Sequence, residues 1–136
     1  MCTQNNREYV VTNLNRDSRI ASRVRTAGTS AARRKGLLGA KELDGESGIW
    51  IAPCEAIHTV GMRMPIDAIF LDRNLCVKKL AKELRPWRLS VCVRASSVLE
   101  LRAGAISRTR TEIGDRLAFR KVEAANGPDI AADMVI

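Results

Sequence analysis

Histidine occurs once in this sequence, and aromatic residues are confined to Tyr9, Trp50, Phe70, Trp87 and Phe119. Any reaction that needs a histidine general base must therefore use His58, and a core must be filled chiefly by valine, isoleucine and leucine. No stretch spells the GxGxxG or GxxxxGK pattern whose backbone N–H groups cradle phosphates, so nucleotide-dependent catalysis is not supported. No run approaches the ~20 apolar residues of a membrane-crossing helix. The opening MCTQNNREYVV lacks the apolar stretch and small-residue cleavage site of a secretory leader. The cysteines Cys2, Cys54, Cys76 and Cys92 are dispersed, with no CxxC pair. In a chain without an export signal, buried free thiols are expected in place of bridges. These absences together predict a cytoplasmic protein with no membrane contact.

Acid is also scarce at one end. Before position 42 the only acidic residues are Glu8 and Asp17, set against Arg7, Arg16, Arg19, Arg23, Arg25, Arg33, Arg34, Lys35 and Lys41. This imbalance contributes to a net charge of +8. Such an excess attracts polyanions, or else forms a solvated surface that keeps the protein soluble. No nucleic-acid-binding motif accompanies it.

What is present fits one folded domain. The 136 residues are 46% hydrophobic and 28% charged, a balance that suits a globular chain and not a disordered one. At this length about two-thirds of the unfolded surface can be buried without metal or disulfide. Period-two alternation predicts strands near Tyr9–Leu14 and Ile20–Arg25. GIWIAP, Ile66–Leu71, LCVKKLAKEL, LSVCV, Val98–Leu101 and RLAFRKV supply further strands, with a turn at Asp72–Asn74 and an ambiguous second half in LCVKKLAKEL. A short helix is expected over Ala31–Leu38, capped by Thr29 or Ser30, and a helical turn within AISRTRTEIGD. Residues 1–6 and 124–136 read as mobile ends. The expected architecture is mainly β: a compact β-sandwich or small barrel of short strands with one or two short helices.

The words KGLLGAKEL, GIWIAP, HTVGMRMPIDAIFLD, SVLELRAG and EIGDRLAF occur in this order along residues 20–120. In this the chain resembles the bacterial and archaeal family known as domain of unknown function 192. The resemblance implies a mainly β, sandwich-like fold and no particular reaction. Members of that family tend to carry aromatics just before the methionine matching Met62, where this chain has Val60 and Gly61.

The densest polar cluster is Cys54, Glu55, His58, Thr59, Arg63 and Asp67. Cys54 and His58 are the residue types of a nucleophile and its base. Pro53 disfavours a helix there, however, and four residues of extended chain span more than about 10 Å. No catalytic residue is assigned on this basis. Cys54 and His58 supply at most half of a zinc site, and no motif calls for a metal or other cofactor.

Asp67 in PIDAIFL and Glu100 in VLEL are carboxylates set in apolar strands, where an unsatisfied charge costs several kcal/mol. Asp67 has two structural uses open to it, an ion pair with Arg63 or acceptance of turn N–H groups. The functional alternative is that Arg63, Asp67 and Glu100 line a small polar pocket. Trp87, flanked by Arg85 and Arg88, suits recognition of a phosphate or carboxylate. The leading expectation is a non-catalytic binding or accessory module built on Arg63, Asp67, Glu100 and Trp87. Its partner would be a small polar or anionic ligand, or an acidic macromolecule. A cysteine-dependent hydrolase or transferase, and non-specific polyanion binding through the basic N-terminal half, are the alternatives.

Overall fold

A computed structural model describes residues 7–27 and 44–122. The helix expected at Ala31–Leu38 and the two chain ends lie outside the described residues. The elements are β1 (Glu8–Asn13), β2 (Ser18–Ala27), β3 (Ser47–Ile51), β4 (Ala56–His58), β5 (Ile66–Leu71), β6 (Val77–Leu84), β7 (Leu89–Val91), β8 (Ser97–Arg102), helix α1 (Ala105–Thr109) and β9 (Leu117–Val122). Seven strands form one sheet in the order β6-β5-β8-β3-β2-β1-β9, and β4 pairs with β7 in a separate ribbon. The β2–β3 pair is parallel and the other pairs are antiparallel.

The long sheet curls until its two edges touch. Cys76 and Arg116 form an isolated antiparallel bridge, supported by the Val77 N–H on the Asp115 carbonyl at 2.8 Å and the Leu117 N–H on the Leu75 carbonyl at 2.9 Å. The edges meet there without pairing along their length, so the sheet is not a closed barrel. The mainly β expectation holds in this curled form.

Strand alternation gives the sheet two apolar faces. The inner face, inside the curl, carries Val11, Ile20, Val24, Ile69, Leu71, Val77, Leu99, Leu101 and Leu117, with Ile106 of α1 packed onto it. Tyr9, Trp50 and Phe119 add an aromatic group to this face, Trp50 and Phe119 lying 4.0 Å apart between ring centroids. The outer face carries Ile49, Ile51, Ile66, Ala68, Phe70 and Val98, and is overlaid by Ile57 of β4 and Met62. β5 has both faces covered, which explains why IDAIFL is buried throughout and apolar at every position but Asp67. Each large aliphatic side chain hidden this way contributes about 1.5–3 kcal/mol.

Two glycines are dictated by geometry. A Cβ at Gly48 would stand 2.9 Å from Leu101 Cδ2 and 3.0 Å from the Glu100 carbonyl, so the close β3–β8 approach needs its absence. Gly104 precedes α1 at φ 97°, a left-handed conformation costly for any other residue.

A polar clasp ties the β1–β2 turn to the loop between α1 and β9. The buried Asn13 side chain donates to Thr111 Oγ1 at 3.1 Å and to Asp115 Oδ2 at 2.9 Å, while its own Oδ1 accepts the Asn15 and Arg16 N–H groups. Arg16 Nε and the Glu112 N–H also donate to Asp115 Oδ2. Burial pushes the Asp115 pKa up, but the Asn13 amide, the Glu112 N–H and the Arg16 guanidinium outweigh it, and the net shift is downward.

Removing the Asn13 amide leaves buried acceptors unmade, so Asn13→Ala should lower stability by about 1–3 kcal/mol in urea unfolding. The lowered Asp115 pKa gives stability that is full above its ordinary value of 3.8 and is lost as pH falls through the folded value. A wild-type acid limb no steeper than that of Asn13→Ala would contradict the clasp.

Candidate functional site

Asp67 is 1% exposed and is spent on backbone. Across from it, the β5–β6 register slips between Ile66–Leu84 and Ala68–Ala81, so Lys82 and Glu83 together face Asp67 in a bulge. Bulges leave an N–H without a ladder partner, and here Asp67 Oδ1 accepts the Glu83 N–H at 2.8 Å. Its other oxygen accepts the Ile106 N–H at 2.8 Å. That second bond satisfies one of the first-turn donors of α1, which Gly104 has no side chain to cap. One carboxylate thus fixes the bulge and the helix on the inner face. No ion pair joins Asp67 to Arg63 among the described residues, and acceptance of backbone N–H groups is the use observed.

Glu100 points the other way. Asp67 stands opposite Leu101, and Glu100 opposite Ala68, so the two carboxylates emerge on opposite faces of the sheet. Among the described residues the sheet does not bring Asp67 and Glu100 together on one face. Glu100 lies in a cross-strand row that reads Arg25, Ile49, Glu100, Ala68, Ala81 across β2, β3, β8, β5 and β6. Of the two alanines beside it, Ala68 is buried and Ala81 half-buried. Glu100 is 7% exposed and makes no hydrogen bond or ion pair among the described residues. Burial raises its pKa from 4.5 to about 7. A carboxyl group there exchanges its proton near neutrality and can donate or accept a hydrogen bond.

Two exposed arginines belong to segments that contribute to this face. Arg102 follows Glu100 by two residues on the same face of β8 and is exposed, its guanidinium close to Gly45. Arg63 is exposed between Met62 and Met64, which pack on the outer-face cluster. Trp87 is elsewhere, 66% exposed in the turn between β6 and β7.

Cys54 precedes the short strand β4, and His58 is its last residue. The Cys54 thiol donates to the Ala56 carbonyl at 3.1 Å, and the exposed His58 accepts the Val60 N–H on Nδ1 at 3.3 Å. In these contacts the thiol is aimed at a carbonyl and the imidazole at a backbone amide. Of the basic residues near the N-terminus, Arg16 pairs with Glu112 and Asp115, Arg19 with Glu46, and Arg23 with Asp44. Arg33, Arg34, Lys35 and Lys41 lie outside the described residues.

Thr59, grouped by sequence with the polar cluster but given no role there, has a structural one. Its buried hydroxyl donates to the Arg85 carbonyl at 2.6 Å and accepts the Arg88 N–H at 2.9 Å, while its carbonyl accepts the Trp87 N–H at 3.0 Å. A threonine between polar residues carried no signal of that role.

Comparison with known proteins adds a fold and a family. The DUF192 family model, described as uncharacterized ACR, matches residues 11–119. No curated protein matches. The chain is similar to a protein of unknown function from Novosphingobium aromaticivorans DSM 12444, with 25% identity and a TM-score of 0.71 over 82% of this chain and 83% of that one. It also shares its fold with a "putative transcription regulator" from Sinorhizobium meliloti 1021, at 18% identity and a TM-score of 0.69 over 83% and 92% of the respective chains. No helix among the described residues is long and apolar enough to cross a membrane.

Two measurements follow from the opposed carboxylates. In Asp67→Asn one acceptor oxygen becomes an NH2 donor facing a backbone N–H, and the loss should be about 2 kcal/mol or more in denaturant unfolding. Glu100 acts in the opposite sense to Asp115. Its folded pKa is raised, so the native state holds a proton that the unfolded chain has released, and stability falls as pH rises from 4.5 to about 7. The fall should total about 3 kcal/mol and be absent in Glu100→Gln. Equal slopes in the two proteins would show that Glu100 is solvated.

Proposed function

Because the chain belongs to the DUF192 family, whose description assigns no activity, we propose from its own geometry that it is a non-catalytic binding module for a small polar ligand at Glu100. The carrying observation is a carboxyl group enclosed among Ile49, Ala68 and Val98 with no protein partner among the described residues. Folding gains nothing from leaving such a group unmatched, since an isoleucine or valine there would extend the apolar face at no desolvation cost. A ligand that offers an amine, amide or hydroxyl hydrogen supplies the missing partner. The exposed guanidinium groups of Arg63 and Arg102 favour a ligand that also carries an anionic group, and the flanking alanines favour a small one. A molecule combining an ammonium with a carboxylate meets all three conditions.

Glu100 makes no contact that would mark it as a base for a bound nucleophile, and Cys54 hydrogen-bonds the Ala56 carbonyl. Both features favour binding over chemistry.

The test is a titration of the isotope-labelled full chain with free amino acids, dicarboxylates and polyamines, followed by amide and side-chain NMR. The proposal expects a zwitterionic probe to move the resonances of Ile49, Ala68 and Glu100 together, to shift the Glu100 titration, and to bind at least tenfold more weakly to Glu100→Gln. If no probe perturbs these residues up to millimolar concentration while Glu100→Gln keeps the native spectrum, Glu100 is not a binding site.

A further inference from the structure

Among the described residues, the large hydrophobic side chains left exposed are Leu14, Val60, Trp87, Leu89, Val91, Val93 and Ile113. All but Leu14 and Ile113 gather on or beside the β4–β7 ribbon. The register explains the arrangement. Ile57 stands opposite Ser90, and both are buried toward the outer-face cluster. Leu89 opposite His58 and Val91 opposite Ala56 are therefore turned outward. Trp87 and Val93 lie in the turns on either side of β7 and are exposed as well. The result is an apolar stripe at positions 87, 89, 91 and 93, with exposures of 66%, 68%, 41% and 79%.

The stripe is held in place by polar bonds. Trp87 sits at φ 64°, a left-handed conformation that is costly for a bulky residue. It persists because the buried Thr59 binds the turn at Arg85, Trp87 and Arg88. Strain maintained by surrounding bonds in order to expose an indole is a reason to look for a role. At the other end, the Ala95 N–H bonds the Cys92 carbonyl and fixes the turn that carries Val93. Exposed arginines mark both ends, Arg85 and Arg88 beside Trp87, and Arg94 beside Val93. None of the three has a salt bridge among the described residues, and the nearby exposed acids are Glu55 and Glu83.

We infer that the outward face of the β4–β7 ribbon is a docking surface for an extended segment of another protein, one with apolar residues at alternate positions and carboxylates flanking them. Leu89 and Val91, turned outward at alternate positions of β7, match the side-chain repeat of an extended segment, and Trp87 and Val93 prolong the apolar surface at either end. Cations at both ends match acids on both sides of that segment. A second copy of this chain is a poor occupant, because the same face turned on itself sets arginine against arginine. The surface is independent of Glu100, which lies on the main sheet.

The experiment uses the labelled full chain and a synthetic peptide of alternating valine or leucine and threonine between paired glutamates. A second peptide replaces the glutamates with lysines, and phosphatidylglycerol vesicles and sedimentation of the protein alone complete the set. The amides of residues 87–93 and the Trp87 indole should shift saturably with the acidic peptide, more weakly as salt rises, and not with the lysine peptide. Leu89→Ser and Arg88→Glu, both at exposed positions, should each weaken binding about tenfold, with the rest of the spectrum unchanged. Glu100→Gln should bind as the wild type does. Binding of both peptides alike, or no shift at millimolar peptide, overturns the inference. So does vesicle binding or self-association that Leu89→Ser abolishes while the acidic peptide fails to bind.

Discussion

Two backbone N–H groups converge on the Asp67 carboxylate, and much of the molecule is arranged by that convergence. The bulge at Lys82–Glu83 and the first turn of α1 come from distant parts of the chain, and neither can satisfy its own donor. A charged acceptor placed between them removes both deficits inside an apolar face, where each would otherwise cost about 1–3 kcal/mol. The helix then lies over the inner core, Ile106 fills the end of the curl, and the loop that follows is brought to Asn13. A second polar centre, Asp115, repeats the logic at the β1–β2 turn, with Asn13 and Arg16 as donors. Sheet curvature and helix placement thus rest on a few buried acceptors.

Glu100 lacks these compensations. It lies on the strand next to Asp67, one register step away and on the reverse face, with aliphatic neighbours and no donor among the described residues. Two acids in similar apolar sequence contexts therefore have different fates. One accepts backbone N–H groups, and the other meets no hydrogen-bond donor among the described residues. The proposed role of Glu100 rests on that difference.

Much of the fold was legible because most strands announce themselves by composition. Ile66–Leu71 was read at its observed limits, since a short run, apolar but for Asp67, between a proline and an Asp-Arg-Asn turn has few other uses. β6 was ambiguous in its second half for a visible reason: the bulge interrupts alternation at Lys82 and Glu83. β4 went unread because three residues between Pro53 and Gly61 are too few to show a period. The site was only half legible. That Asp67 and Glu100 were anomalous followed from their neighbours, but whether they met depended on strand register, where one residue of offset reverses the face. The outward stripe of β7 was hidden for the same reason, since LSVCV does not say which of its residues look toward the core.

Contact between the first residues of β6 and β9 bears on how this protein behaves in a crowd. A seven-stranded open sheet normally offers two rims of unpaired amides, each able to recruit an unfolded neighbour as an eighth strand. Here the rims have been turned on each other, and at Cys76 and Arg116 their donors and acceptors are already engaged. Growth into a polymer would have to begin where the rims diverge, near Leu84 and Val122. Curling thus limits edge-to-edge assembly without the strict shear and strand count that full closure would impose.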